Sequence, residues 1–237
     1  MVPFSFVFCA DKFSVEENVS SPVESHHSLR SIDSRFHHPD KKVDKTKLKA
    51  FVAQEVKLRV EGEIMEILEA IKGRRSIRAF KDQEVSEECV EKLIDAARWA
   101  PSAGNIQPWE FIIVRKPEIK RKLAEAALGQ SFIEEAPVVI VVCADENRSS
   151  QGYGVRGKTL YCIQDTAAAI QNIHLAAYAL GLGTCWVGAF REEEATRILK
   201  IPQGVRPVAV IPVGYPAETP QQRSRRPISQ IVQYETF

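Results

Sequence analysis

The chain has 237 residues, 44% of them apolar and 27% charged, and a net charge of +1. That balance suits one sizeable soluble core and gives no bulk electrostatic reason to expect nucleic acid or an anionic membrane as partner. No apolar run approaches the ~20 residues of a membrane span, and the apolar Phe4–Ala10 stretch lacks the preceding basic residues of a secretory signal.

Residues 1–62 differ in character from the rest of the chain. None of the twelve glycines precedes Gly62, whereas four of the five histidines lie in this part. Serines, charges and prolines are scattered through Ser14–Lys42 without periodicity, the composition of disorder. Further on, Leu48, Phe51, Val52, Val56 and Val60 share one helical stripe, which predicts a helix able to dock on the core. The pairs His26-His27 and His37-His38 have no carboxylate or cysteine at ligand spacing, so no metal site is expected there. The strongly patterned region opens at Met65, behind a Val-Glu-Gly-Glu stretch whose codons would be purine-rich, as a ribosome-binding site is. Met65 is therefore a candidate start, and the chain divides into an extension over 1–62 and a folded domain over 63–237.

Ile64, Ile67, Leu68 and Ile71 recur at i, i+3, i+4, i+7, which predicts a helix with one apolar face. Gly73 ends it. Arg74-Arg75-Ser76-Ile77-Arg78-Ala79-Phe80 comes next; in an extended stretch Arg74, Ser76 and Arg78 share one side. Two guanidinium forks and a hydroxyl there suit a phosphate or another planar polar ligand. Ser86 caps a second helix, with Val90, Leu93, Ile94 and Ala97 as its buried stripe and an end near Trp99, because Pro101 holds Ala100 extended. The Pro101–Trp109 loop is made of small and amide side chains, where a ligand could approach backbone closely.

Phe111–Val114 reads as an interior strand, Pro117–Ala127 as a helix with proline at its start, and Val138–Ala144 as a second, more apolar strand. Tyr161–Leu180 is the longest helix expected. Ile163, Ala167, Ile170, His174 and Ala177 share a face, and its alanines permit close packing in the core and at a dimer interface. His174 reads as a core histidine with its hydrogen bonds satisfied. Gly181 and Gly183 close that helix, Thr184–Phe190 is a short segment, Ala195–Leu199 is a helix begun by Glu192–Glu194, and Val208–Val213 is a third strand. The tail carries a second basic cluster, Arg223-Ser224-Arg225-Arg226-Pro227.

Gly152–Thr159 matches the phosphate-loop pattern GxxxxGK[ST] in full, and its first six residues match GxGxxG. The context is wrong for both. Asp145–Gln151 separate the match from the preceding strand, the later strand Val208–Val213 ends in Gly214 and not in an acid for magnesium, and no second strand ends in an acid about 20 residues on.

There is no nucleophile elbow, no HExxH and no credible pair of acids. The five cysteines (Cys9, Cys89, Cys143, Cys162, Cys185) are widely spaced and form no CxxC pair. They read as reduced thiols of a cytoplasmic protein. Cations, amides and glycines without acid–base machinery suggest that a cofactor carries the chemistry. At this point the residues resemble the flavin-dependent nitroreductase family, through five motifs in order: R-R-S-x-R-x-F (Arg74–Phe80), P-S-x-x-N-x-Q-P-W (Pro101–Trp109), Q-D-x-A-A-A-x-Q-N (Gln164–Asn172), G-L-G-x-x-W-x-G (Gly181–Gly188), and G-Y-P with R-x-R-x-P (Gly214–Pro216, Arg223–Pro227).

The resemblance implies an α+β fold, a mixed or antiparallel sheet flanked by helices, in an intertwined homodimer with two FMN sites at the interface. It places the FMN phosphate on Arg74, Arg223 and Arg225, with Arg75 and Ser76 at phosphate and ribityl. Arg78 would face the N1/O2 edge, where a fixed cation stabilises the anionic hydroquinone. Pro101, Ser102, Ala103 and Asn105 would reach the partner's flavin, Val187 and Gly188 would contact N5 through backbone, and Gln130 the pyrimidine edge. Tyr153 and Arg156, over the active site, either touch substrate or are structural. Arg78 and Arg223 stand where family members often have lysine, which keeps the charge and changes the geometry. The function implied is electron transfer from NAD(P)H through FMN to a nitroaromatic, quinone or flavin. Alternatives are a flavin-fragmenting or dehalogenating enzyme, a non-catalytic FMN-binding protein, or a phosphate-loop hydrolase. A small-molecule acceptor is expected, and neither metal, nucleic acid nor membrane.

Overall fold

A computed structural model describes residues 67–237. The extension over 1–62, the candidate start at Met65, the stripe over 48–60 and Ile64 lie outside the described residues. Chain order is α1 (Ile67–Gly73), α2 (Glu87–Arg98), β1 (Trp109–Val114), α3 (Pro117–Ala126), α4 (Phe132–Glu135), β2 (Val138–Asp145), α5 (Glu146–Arg156), a π-helical turn (Gly157–Tyr161), α6 (Cys162–Ala179), β3 (Gly183–Thr184), α7 (Glu192–Leu199) and β4 (Val205–Gly214).

The most apolar stretch becomes the middle of the sheet. Seven of the eight residues of β2 are buried, because the strand is covered on both faces and paired on both edges. The sheet order is β1-β2-β4-β3, with every strand pair antiparallel. Among the described residues a parallel contact occurs only at the isolated bridge between Ser76 and Thr184. Side-chain alternation divides the core in two. Val138, Ile140 and Val142 pack with Ile211 and Val213 under α2 and α6, whereas Val139, Val141 and Cys143 pack with Val210 under α3, α4 and α7. The register of β2 on β4 shifts between Val142 and Cys143. Pro207 falls at that irregularity, where a sheet tolerates the missing N–H.

On two helices the buried residues do not coincide with those of the apolar stripe. Ile67, Leu68 and Ile71 do form one face of α1, but they are 63%, 58% and 50% exposed, and the residue that α1 buries is Ala70. Periodicity identifies a face to be covered and is silent on what covers it. In α6 the buried residues are Cys162, Asp165, Thr166, Ala169, Ile170, Ile173, His174 and Ala177, so Ile163 and Ala167 are only half-buried. The face turns because two polar side chains find partners inside. The Thr166 hydroxyl donates to the Cys162 carbonyl at 2.8 Å, and Asp165 accepts the N–H of Ala103 at 3.1 Å.

Candidate functional site

The arginine stretch is held by backbone pairing. Ser76 bridges Thr184, and the Ile77 N–H donates to the Thr184 carbonyl at 2.9 Å. That approach requires Gly183, since a Cβ there would stand 2.7 Å from the Ile77 side chain. The tail leaving β4 returns along the same stretch. Lys81 N–H donates to Tyr215 at 2.8 Å, Ala217 N–H to Ala79 at 2.9 Å, and the Glu218 carboxylate accepts from the Arg78 and Ala79 N–H groups.

This doubling back brings residues about 150 positions apart into one cleft of about 280 Å³. Arg74, Arg75, Ser76, Arg78, Arg223 and Arg225 line it, with Pro220 and Gln221 and, among the described residues, no acid. Strict alternation does not hold, because Arg75 lines the cleft as well. One of its guanidinium nitrogens also donates to the carbonyls of Lys72, Gly73 and Arg74 at the end of α1. Burial, then the charges of Arg75 and Arg225, push the Arg74 guanidinium below its ordinary value. Five guanidinium groups, Arg74 among them partly desolvated, with no lining carboxylate among the described residues, favour an anion. The residues present therefore fit a phosphate group.

Around the cleft the other expected residues divide. The Arg78 guanidinium lies 5.8 Å from the ring centre of Phe132, two residues from Gln130. Gln130 spends its amide donors on the carbonyls of Ala127 at 2.8 Å and Ala189 at 3.2 Å, leaving its oxygen as the group to offer a ligand. Val187 already has backbone partners in the sheet. Its N–H donates to Val210 at 3.0 Å and its carbonyl accepts from Val210 at 2.9 Å, so its backbone belongs to the sheet. Gly188 has no hydrogen-bond partner among the described residues and is the one of the pair free to make backbone contact.

Pro101, Ser102, Ala103 and Asn105 line no part of the arginine cleft. Their loop lies against α6 through Asp165 and beside Tyr153. A Cβ on Gly104 would stand 2.6 Å from the Tyr153 hydroxyl, and Gly104 has φ 55°, a conformation that favours glycine. Tyr153 meets Tyr161 edge to face at 5.2 Å, and Arg156 Nε donates to the Tyr161 hydroxyl at 2.9 Å. The two expected substrate residues thus stand with the loop, away from the arginines. The phosphate-loop match forms no loop: Gly152–Thr159 runs through the end of α5 and the π-helical turn, and Lys158 pairs with Glu146 at 3.4 Å.

Residues missed from sequence include Phe132 beneath Arg78, Glu218 pinning the tail, and Asp165. The last had a signal, a lone acid in an alanine-rich stretch. His174 is satisfied on one side only. Nδ1 meets the Thr184 hydroxyl at 2.7 Å, whereas Nε2 is buried without a partner among the described residues. Burial, with Arg74 nearby, lowers its pKa from 6.5 to about 4. Because the folded value is depressed, the associated stability is complete above pH 6.5 and lost as pH falls through about 4. At roughly 1.4 kcal/mol per pKa unit it amounts to about 3 kcal/mol. Urea unfolding of wild type and His174→Gln at several pH values should show wild type losing that much more stability on acidification. Parallel pH profiles would contradict it.

Among the described residues no group of three or more His, Cys, Asp or Glu could hold a metal, and no helix is long and apolar enough to cross a membrane. The family model for the nitroreductase family matches residues 71–131 and 126–215. A Methanothermobacter thermautotrophicus protein, provisionally named an NADH dehydrogenase/NAD(P)H nitroreductase, is 42% identical over 174 residues, covering 71% of this chain and 87% of that one. The Bacillus subtilis protein named FMN reductase [NAD(P)H] is 31% identical over 186 residues, with 73% and 74% covered. Among solved structures, NADPH:FMN oxidoreductase from Vibrio harveyi, complexed with NAD+, superposes with a TM-score of 0.67 at 26% identity, covering 72% of this chain and 77% of that one. With the α+β fold, the doubled-back arginine cleft and these matches together, the chain belongs to the nitroreductase family.

Proposed function

We propose that the chain holds FMN by its phosphate in the arginine cleft and transfers electrons from NAD(P)H to an electron-poor small molecule such as a nitroaromatic, a quinone or a flavin. Membership of the family makes it an NAD(P)H-dependent oxidoreductase of the nitroreductase type. The observation that carries the FMN reading is the convergence of five arginines, from two distant segments, on one cleft without a lining acid. When bound, FMN supplies a ring that accepts hydride from the donor and passes the electrons on. The protein's part is to bind and to orient. Arg74, Arg223 and Arg225 take the phosphate charge, Ser76 offers a hydroxyl, Arg78 sets a cation where negative charge develops on reduction, and Gly188 leaves backbone open to close approach.

A second copy of the chain completes the site. No residue of the loop Pro101–Asn105 lines the arginine cleft of its own chain, so a site built from both takes them from two chains. Apolar surface supports the dimer. Besides the face of α1, the tail exposes Ile228 at 74%, Tyr234 at 84% and Phe237 at 111%, apolar side chains that a second copy could cover.

The test is the absorption spectrum of the purified protein. Oxidised flavin absorption that NADH or NADPH bleaches is the expected result. Flavin that neither nucleotide bleaches would indicate a binding role, and a colourless protein that hydrolyses ATP would return the phosphate-loop reading. Loss of the flavin itself during turnover, or release of halide from a haloaromatic, would identify a fragmenting or dehalogenating member of the same fold.

A further inference from the structure

The Pro101–Asn105 loop holds a shape that its own residues disfavour. Gly104 and Asn105 lie at φ 55° and Gln107 at φ 54°, two of the three being residues with a side chain in the left-handed region. Internal bonds close the turn: Asn105 N–H donates to Ser102 at 3.0 Å, Ile106 N–H to Ala103 at 3.1 Å, and Gln107 N–H to the Ser102 hydroxyl at 3.0 Å. These shape the loop and anchor it to nothing. Among the described residues two side chains from elsewhere tie it down. Arg148 donates to the Gln107 carbonyl at 3.2 Å from an exposed position, and Asp165 accepts the Ala103 N–H at 3.1 Å from the first turn of α6.

Asp165 is an expensive way to make one hydrogen bond. It is 7% exposed, and its Oδ2 is buried with no partner among the described residues. Burial raises its pKa, opposed by the Ala103 N–H. An apolar side chain of similar size would avoid that desolvation, but it would give the loop no acceptor. We infer that Asp165 is a positioning residue that fixes the Pro101–Asn105 loop for its contact with the flavin, an assignment that rests on the function proposed above.

Full-length wild type is compared with Asp165→Asn, which retains an oxygen for the Ala103 N–H, and Asp165→Ala, which does not. In FMN-free protein, amide hydrogen exchange in a peptide spanning Ala103–Gln107 should speed up about tenfold in the alanine variant and stay within about threefold of wild type in the asparagine variant. With FMN bound, kcat for the nitroaromatic acceptor should fall roughly 10- to 100-fold in Asp165→Ala, since displacement of a positioning element by about 1 Å has that order of effect. KM should move less than about threefold, and Asp165→Asn should recover most of kcat. Unchanged exchange and kcat in Asp165→Ala would overturn the assignment. So would an asparagine variant as impaired as the alanine one. If wild type neither binds FMN nor oxidises NAD(P)H, the function proposed above fails, whereas the exchange measurement, made without FMN, still decides whether Asp165 holds the loop.

Discussion

Arg225→Ala should bind FMN roughly ten- to a hundredfold more weakly than wild type, and Lys158→Ala within about twofold of it. The first figure comes from the worth of one hydrogen bond between charged partners, about 1.5–3 kcal/mol. Arg225 lies in the cleft with Arg74, Arg75 and Arg223, and a guanidinium nitrogen donates to the carbonyls of Arg223 and Ser224 at 3.0 and 3.1 Å. The side chain is thereby folded back on its own turn, so part of the ordering cost of phosphate binding is met before the ligand arrives. Lys158 is the residue that a phosphate loop could not lose. Here it sits on a helical turn, 3.4 Å from Glu146 and 55% exposed, so removing it forfeits only a surface ion pair. Fluorescence titration of the two apoproteins with FMN measures both affinities. A larger loss from Lys158 than from Arg225 would move the phosphate site out of the cleft.

Parts of the fold were legible because burial leaves a periodic trace. The residues over Val138–Ala144 are apolar without interruption since both faces of β2 are covered, and Val208–Val213 reads similarly in β4. Ser86 was legible as a cap by its chemistry, and its side chain accepts the Cys89 N–H at 3.2 Å. The helix α5 left no such trace. Its Ser149, Ser150, Gln151, Gly152 and Gly154 carry no apolar period, and the helix is begun by an Asp145 cap and broken at Tyr153 and Gly154. A pattern-matching GxxxxGKT there has a plain explanation in packing, since a Cβ on Gly157 would lie 2.3 Å from the Ser149 carbonyl. The charge of each arginine cluster was visible in the chain, but their convergence was not. It depends on pairing of Lys81 with Tyr215 and Ala79 with Ala217, contacts between segments more than 130 positions apart that no local spacing encodes. The order of the five motifs supplied that link. That Val187 pairs its backbone with Val210 was likewise not visible in local spacing.

A mixture of two inactive variants should recover activity. Suppose that each site takes its arginines from one chain and the Pro101–Asn105 loop from the other, as the separation of loop and cleft within one chain suggests. An Arg74-disabled homodimer and an Asn105-disabled homodimer then each have two damaged sites. In a heterodimer of the two, one site collects both lesions, and the other draws Arg74 from the Asn105 variant and Asn105 from the Arg74 variant. That second site is whole. Co-refolding equal amounts gives about half heterodimers, each with one good site of two, so about a quarter of wild-type activity should return. Size-exclusion chromatography must first show that both variants still dimerise. The choice of positions favours that result: Arg74 is half-buried beside a cleft, Asn105 is exposed, and neither belongs to the core between sheet and helices. If loop and arginines served the same chain's site, every site in the mixture would carry at least one lesion. Activity would then equal the average of the two parents, which would exclude a site shared across the dimer while leaving the arginine cleft itself intact.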